Sequence, residues 1–285
     1  MMKTTLVMAG LGLCLSAAAV EPSGFRDLCA RQAAAAEAEG RITVPGQAGW
    51  FFLAAELRHV SVGPFWGDAA AGVSRATPPA QADPLPAILD FKRQLDELGI
   101  EVLLVPAPPK ALIYPDWVEG SPLTEPPEER LDTDHAAFYE LLRSSGVEVL
   151  DLTPIFLTAR RDAGAESSPL YCRQDSHWSG VACERTARAV AERLKDRPWL
   201  AGLARTSYDI QPAEAVLSGD LWLALPEPRD PAEEIPLRRV TRQGEPIAPD
   251  RASPILLLGD SHTLIFQAGG DMQATGAGLA DQLAA

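Results

Sequence analysis

The chain has 285 residues, 46% hydrophobic, 22% charged and 6% aromatic, with 22 glycines and 25 prolines. That composition excludes a disordered tail, a collagen-like fibre and a coiled coil, and the length is enough for one main domain with a substantial core. Lysine plus arginine is 25 against 39 aspartate plus glutamate, a formal charge of −14, and the compact basic run is Arg238, Arg239 and Arg242. Such a surface repels phosphate backbones and anionic headgroups, so neither nucleic acid nor a membrane surface is expected as a partner.

Met1-Met2-Lys3, the apolar run Leu6 to Leu15 and the small residues Ser16 to Ala19 stand in the order of a secretion signal, and the run is too short to span a bilayer. Residues 1–19 are therefore expected to be a signal peptide and 20–285 one exported domain. Leu13 before Cys14 is too bulky for a good lipoprotein signal. Cys29, Cys172 and Cys183 remain, and in an oxidising compartment Cys172 with Cys183 is the nearest candidate disulfide, the other reading of Cys183 being a small buried hydrophobe.

In chain order, Ala33–Ala36 belongs to an alanine-rich helix, Gly49–Leu53 reads as a buried strand and the proline-rich 76–86 as a loop. Ile88, Phe91, Leu95 and Leu98 fall at helical spacing up to Gly99, and Val102–Val105, closed by Pro106, suits a strand covered on both faces. Residues 119–130 read as a surface loop, a helix is expected over about 134–144, a short strand over 147–152 and a helix over about 180–194. The acidic, proline-bearing 226–236 reads as a second surface loop, Ile255–Leu258 as another buried strand, and 269–285 as one helix. Alternating helix and buried strand predicts an α/β fold, a mostly parallel sheet with helices on both faces and functional groups at the strand ends.

Ile255–Leu258 runs into Gly259-Asp260-Ser261-His262. A serine held at a tight turn after a strand can act as a nucleophile if a base takes its proton, with backbone N–H groups there to stabilise an oxyanion; the plainer reading is an ordinary Gly-Asp-Ser turn. The second motif is Gln174-Asp175-Ser176-His177-Trp178, just before the helix expected at 180. In an extended segment Asp175 and His177 point to one side, so the carboxylate can orient the imidazole; the plainer reading is a capped helix start. The chain has only four histidines, and one lies in each motif. Together the motifs supply nucleophile, base and orienter. Asp175, His177 and His262 are a rival zinc set, but no paired-cysteine or His-Glu-x-x-His spacing supports it, so no metal and no cofactor is expected. Lys110, Tyr114 and Arg58 are weaker candidates for substrate contact, and His59 and His135 read as structural or surface residues.

The Asp-x-His-Trp segment, followed much later by an apolar run ending in Gly-Asp-Ser, resembles the SGNH-hydrolase-like domain of the alginate O-acetyltransferase AlgX/AlgJ group. Gly49-Trp50-Phe51-Phe52-Leu53, Glu56-Leu57-Arg58, Val105-Pro106-Ala107-Pro108-Pro109-Lys110 and Ile113-Tyr114-Pro115 extend the resemblance over about 46–271. The serine block follows the Asp-His block, the permuted order of that group. The resemblance implies a flavodoxin-like SGNH fold, a periplasmic location, Ser261 as the acetyl-carrying nucleophile, His177 as general base and acid, and Asp175 orienting His177. It also implies a polysaccharide acceptor, exopolysaccharide-assembly partners, and a donor reached through a membrane-bound acyltransferase, since acetyl-CoA is not available outside the cytoplasm. An acetyl esterase, or an inactive polysaccharide-binding protein with the same fold, would share these motifs. Members of the group continue well beyond the serine block, whereas this sequence stops at Ala285, so the expectation is a chain shortened at its C-terminus. The high negative charge makes a neutral glycan a more natural acceptor than alginate.

Overall fold

The computed structural model describes residues 22–163, 169–225 and 232–285, and the expected signal peptide, residues 1–19, lies outside them. Helix α1 (Pro22–Ala38) contains the alanine-rich segment and buries Phe25, Cys29, Ala33 and Ala36, spaced three and four apart as one helical face requires. Strand β1 (Thr43–Pro45) pairs antiparallel with β2 (Phe51–Leu53), and the chain runs straight into α2 (Ala54–Ser61), whose Ala54, Leu57 and Val60 join the same core. After the short α3 (Ala70–Val73), helix α4 (Pro84–Glu97) begins inside the stretch expected to be a loop. Asp83 accepts from the Leu85 N–H and proline takes the first helical position, two strong start signals.

Strands β3 (Leu103–Leu104) and β4 (Glu148–Val149) are parallel neighbours, joined through α5 (Lys110–Ile113) and α6 (Thr133–Ser144). Helix α7 (Thr153–Ala163) follows, and α8 (Gly180–Leu194) has the bounds expected from sequence, with Ser179 capping its start. The later part is antiparallel: β5 (Asp209–Leu217) pairs along its length with β6 (Glu233–Arg242), which pairs with β7 (Glu245–Pro246). The short α9 (Asp220–Leu223) lies between β5 and β6 in sequence, and α10 (Leu279–Ala284) packs against α8. One core cluster gathers α1, α2, α5, α7, α8 and β6, and a second forms around Phe138, Tyr139, Leu142, Val147 and Val149. Among the described residues no helix is long and apolar enough to cross a membrane.

Several expectations need correction. The sheet is not mostly parallel: β3–β4 is the one parallel pair among the described residues, and the longest ladder is the β5–β6 hairpin. Ile255–Leu258 forms no strand, and Leu256 and Leu258 are 89% and 77% exposed; a continuous apolar run becomes a buried strand only where neighbours flank it, and none does here. Residues 233–236 belong to β6 rather than to a loop, because Glu233, Ile235 and Leu237 alternate inward, while 226–231 lie outside the described residues. Residues 269–285 are not one helix: Gly269, Gly270 and Gly276 take positive φ and break it into a turn, an Ala268–Thr275 bridge and α10. Cys172 and Cys183 are free thiols rather than a disulfide, both fully buried in the main core, and burial raises both thiol pKa values.

Candidate active site

The Asp-His segment is a tight loop between Tyr171 and Trp178, which form an isolated antiparallel bridge. Cys172 N–H donates to the His177 carbonyl, and Ser179 N–H to that of Leu170, closing the loop against the start of α8. Its underside rests on Lys110. The buried Nζ donates to the carbonyls of Phe51 (2.6 Å), Arg173 (3.0 Å) and Asp175 (2.9 Å), and lies over the rings of Trp50 and Phe52. Burial lowers the Lys110 pKa to about 8, against the opposing pull of nearby acidic groups including Glu56 and Glu233. From the other side, Glu233 of β6 accepts the Gln174 N–H at 3.0 Å. The turn before α9 comes so close that a Cβ on Gly219 would sit 2.2 Å from the Gln174 carbonyl oxygen, so only glycine fits.

This frame aims Asp175 and His177 at one point. Asp175 Oδ1 accepts from the His177 backbone N–H (2.9 Å) and lies 2.6 Å from His177 Nδ1, while Oδ2 accepts from the Asp220 N–H (3.2 Å) and Gln273 Nε2 (3.4 Å). His177 Nε2 lies 2.7 Å from Ser261 Oγ. The structure therefore joins both sequence motifs in one hydrogen-bonded line. Burial alone would lower the His177 pKa; the Asp175 hydrogen bond and charge, with Asp220 and Asp260 nearby, outweigh it and raise it. Burial would likewise raise the Asp175 carboxyl, and its bonds to His177 and the Asp220 backbone bring it below the usual range. The pair favours an ionised carboxylate that stabilises an imidazolium.

Ser261 opens a single 3-10 turn, Ser261–Thr263, capped by Asp260, which accepts from the His262 N–H at 2.9 Å. Contact with His262 holds the Asp260 carboxyl at about 2. A Cβ on Gly259 would meet Thr263 Cγ2 at 2.3 Å, which ties the tight approach to glycine. The His262 ring packs at 5.0 Å from His177 and edge-on to Trp178, whose Nε1 donates to the His262 carbonyl at 3.0 Å. With the His262 N–H committed to Asp260, Ser261 N–H has no partner among the described residues and remains available to an oxyanion.

The weaker candidates sit elsewhere. Lys110 is sealed beneath the Asp175 loop and Tyr114 is buried, stacked on Trp50 at 4.3 Å with its hydroxyl accepting the Leu170 N–H; both are framework rather than lining. Arg58 is half-buried and donates to the Val73 carbonyl. Sequence reasoning missed Asp220, Glu233 and Gln273; of these only Glu233 had a readable signal, the inward alternation of β6. Asp175, His177 and Asp220 offer metal-ligand atoms within 4.8 Å of one another, but Asp220 accepts from Ser176 N–H and Oγ and from Leu221 N–H, and His177 Nδ1 faces Asp175. His262 stands outside that group, so the zinc set weighed from sequence is not the one assembled.

Residues 43–269 match the family described as SGNH hydrolase-like domain, acetyltransferase AlgX. Among curated proteins, the chain is 27% identical over 135 residues to a probable alginate O-acetylase AlgJ of Pseudomonas aeruginosa, covering 47% of this chain and 32% of that protein. It is 27% identical over 112 residues to the alginate biosynthesis protein AlgX of Pseudomonas putida, covering 39% and 23%. The matches thus span a third or less of those relatives. Among solved structures, the O-acetyltransferase domain of Pseudomonas putida AlgJ superposes with a TM-score of 0.53 at 21% identity, over 72% of this chain and 66% of that one. Pseudomonas aeruginosa AlgX superposes at 0.51 and 18% identity, over 72% and 45%.

Proposed function

Because the chain belongs to the SGNH hydrolase-like AlgX acetyltransferase family, we propose that it is an O-acetyltransferase that carries an acetyl group on Ser261 and delivers it to a hydroxyl of an exported polysaccharide. The observation that carries this reading is the line Asp175 Oδ1, His177 Nδ1 and Nε2, Ser261 Oγ, with spacings of 2.6 and 2.7 Å. In the first half-reaction Ser261 Oγ attacks the acetyl carbonyl while its proton passes to His177 Nε2. Collapse of the tetrahedral intermediate breaks the donor's acyl–oxygen bond, and His177 returns the proton to the leaving oxygen. In the second, a sugar hydroxyl gives its proton to His177, its oxygen takes the acetyl group, and Ser261 Oγ leaves and recovers the proton. Asp175 stays ionised throughout and stabilises the imidazolium. Ser261 N–H is the donor at hand for the oxyanion.

The family reading also supports a periplasmic location, a donor supplied through a membrane-bound acyltransferase, and exopolysaccharide-assembly partners. The test is acetate release from a small activated acetyl ester, with mass spectrometry of the protein and of added oligosaccharide. A burst and an acetyl adduct on Ser261 are expected in the wild type and neither in Ser261→Ala, with Ser261→Ala, His177→Ala and Asp175→Ala each losing about 10⁴ to 10⁶ in turnover. Acetate appearing in solution while oligosaccharide stays unmodified would replace the transferase with an esterase. Wild-type turnover in Ser261→Ala would overturn the acyl-serine route.

A further inference from the structure

Two of the four histidines take no part in the site above, yet they meet. His135 Nε2 on α6 lies 2.8 Å from His59 Nε2 on α2, with ring centroids 4.8 Å apart and edge-on. They border an open cavity of about 260 Å³ at the carboxyl end of β3, lined also by Phe65, Phe138, Tyr139, Pro106, Ala107 and Pro109. The rings form one wall: Phe65 stands 5.1 Å from His59, 5.3 Å from His135 and 4.9 Å from Phe138. His135 is buried; His59 is exposed as a residue at the rim, while its ring is covered by Phe65 and His135.

We propose that this cavity is a subsite for one uncharged sugar ring of the acceptor glycan, laid against the wall that His59, His135, Phe65 and Phe138 form together. The proposal rests on the reading of Ser261 as an acyl carrier for a glycan and names the chemistry that would present the hydroxyl.

Size sets the first limit: 260 Å³ is below the ~300 Å³ at which pockets for drug-sized ligands begin, room for one ring and not for a nucleotide or coenzyme. Lining chemistry sets the second. A pyranose has two faces of polarised C–H bonds, which the negative face of an aromatic ring attracts, and a rim of hydroxyls that need donors and acceptors. The wall supplies the first; with the two Nε2 atoms bonded to each other, the Nδ1 atoms of His59 and His135 are the ring nitrogens left to supply the second. Charge sets the third. No lysine or arginine lines the cavity. Burial lowers the His135 pKa to about 4, with His59 and Arg130 adding to it against Asp151, and burial with Arg58 lowers that of His59. With both pKa values lowered, neither ring brings a positive charge to pair with a uronate carboxylate near pH 7. Location is the fourth. One turn before His59, Glu56 accepts the Ala111 N–H, next to the Lys110 that carries the Asp175 carbonyl, so cavity and Asp-His loop share one frame. The carboxyl end of a parallel strand is also where α/β proteins bind their ligands.

The test uses the full chain carrying Ser261→Ala, so that binding is read without turnover. Methyl glucoside, glucuronate and cyclohexanol are titrated separately while the imidazole C–H resonances of His59 and His135 are followed by NMR. The expected result is saturable shifts of both histidines by methyl glucoside at roughly millimolar Kd, at least about tenfold weaker binding of glucuronate and cyclohexanol, and weakening of about tenfold in His59→Ala and in Phe65→Ala with unchanged circular dichroism. No saturable shift with methyl glucoside would remove the subsite. Equal or tighter glucuronate binding would overturn the uncharged class, and equal or tighter cyclohexanol binding would make the cavity an acyl or apolar pocket. Absence of an acetyl adduct in the wild type would defeat the acyl-serine reading and leave this titration readable by itself.

Discussion

Asp175→Asn tests the site with the smallest change of shape. The carboxylate accepts four hydrogen bonds: His177 N–H and Nδ1 on one oxygen, Asp220 N–H and Gln273 Nε2 on the other. An asparagine must turn its NH₂ toward one of these pairs of donors. Turned to Asp220 and Gln273, it sets donor against donor and loses the position of the side chain. Turned to His177, it forces the imidazole to accept at Nδ1, which puts the proton on Nε2 and leaves Ser261 without a base. Either way the imidazolium loses its counter-charge. Where the equivalent carboxylate is exchanged in other Ser-His-Asp sites, the loss is about 10⁴ in kcat, or about 5 kcal/mol of transition-state stabilisation. The same change removes the main influence raising the His177 pKa, which should fall toward or below 6.5. The assay pairs ester turnover from pH 5 to 9 with NMR titration of His177. The wild-type rate is expected to rise with pH as His177 deprotonates, with an apparent pKa above the ordinary imidazole value. Turnover in Asp175→Asn within about tenfold of wild type, or an unmoved His177 pKa, would refute the assigned role.

Lys110→Met should leave three carbonyls without their cation, at about 1–3 kcal/mol for each unmet acceptor less the relief of burying a charge, a net loss of about 2–5 kcal/mol by urea unfolding. An unchanged unfolding midpoint would show that Lys110 does not support the loop. Gly219→Ala places a methyl 2.2 Å from the Gln174 carbonyl oxygen and is expected to cost about 1–3 kcal/mol and to lower turnover by displacing the Asp175 loop; full activity and stability would refute the fit. The Asp175–His177 pair should stabilise the fold most at pH values between the two groups' folded-state pKa values. Its raised histidine loses that contribution as pH rises through its folded value, and its lowered aspartate loses its own as pH falls through that group's folded value, so the wild type's excess stability over His177→Ala should narrow at both ends. Cys172 and Cys183 should resist a thiol reagent in the native chain and react after unfolding, and a reductant should leave the unfolding midpoint unchanged; non-reducing digestion yielding a joined peptide would refute the free thiols.

Helices α6 and α8 read well from sequence because each carries its own signals. The bounds of α8 follow from Ser179 and the apolar stripe through Cys183, Ala187 and Val190. That Asp175 and His177 face one side was legible as well, since the period-two spacing of an extended segment states which side chains share a face. What failed depended on neighbours. Val102–Val105 and Ile255–Leu258 look alike as apolar runs, yet only the first has a parallel partner, in β4. The β5–β6 hairpin went unseen because the inward alternation of β6 starts within the segment read as an acidic loop. Lys110 follows a strand and invites a role in the site, but its sequence position does not tell whether the ammonium faces solvent or three carbonyls.

The halves of the candidate site are held by different means. The base is built into the core: Asp175 and His177 are 2% and 7% exposed and tied to Lys110, Glu233 and the turn at Gly219. The nucleophile follows an exposed run without strand partners, so no ladder fixes Ser261. Its position comes from what lies after it and beside it. Asp260 caps its turn, Ile265 and Phe266 anchor the next residues in the core, and Trp178 grips the His262 carbonyl. Because Trp178 adjoins His177 in sequence, the residue that carries the base is bonded to a neighbour that carries the nucleophile's turn. The single hydrogen bond from that indole is therefore the direct tie between the base's segment and the nucleophile's turn, beside the Asp260 cap and the buried Ile265 and Phe266. A Trp178→Phe variant should keep the core packing and release the turn. Turnover should then fall by more than tenfold, with an unfolding midpoint lowered by no more than the ~1 kcal/mol of one net hydrogen bond. Equal proportional losses of turnover and folded protein would instead make Trp178 only a core residue.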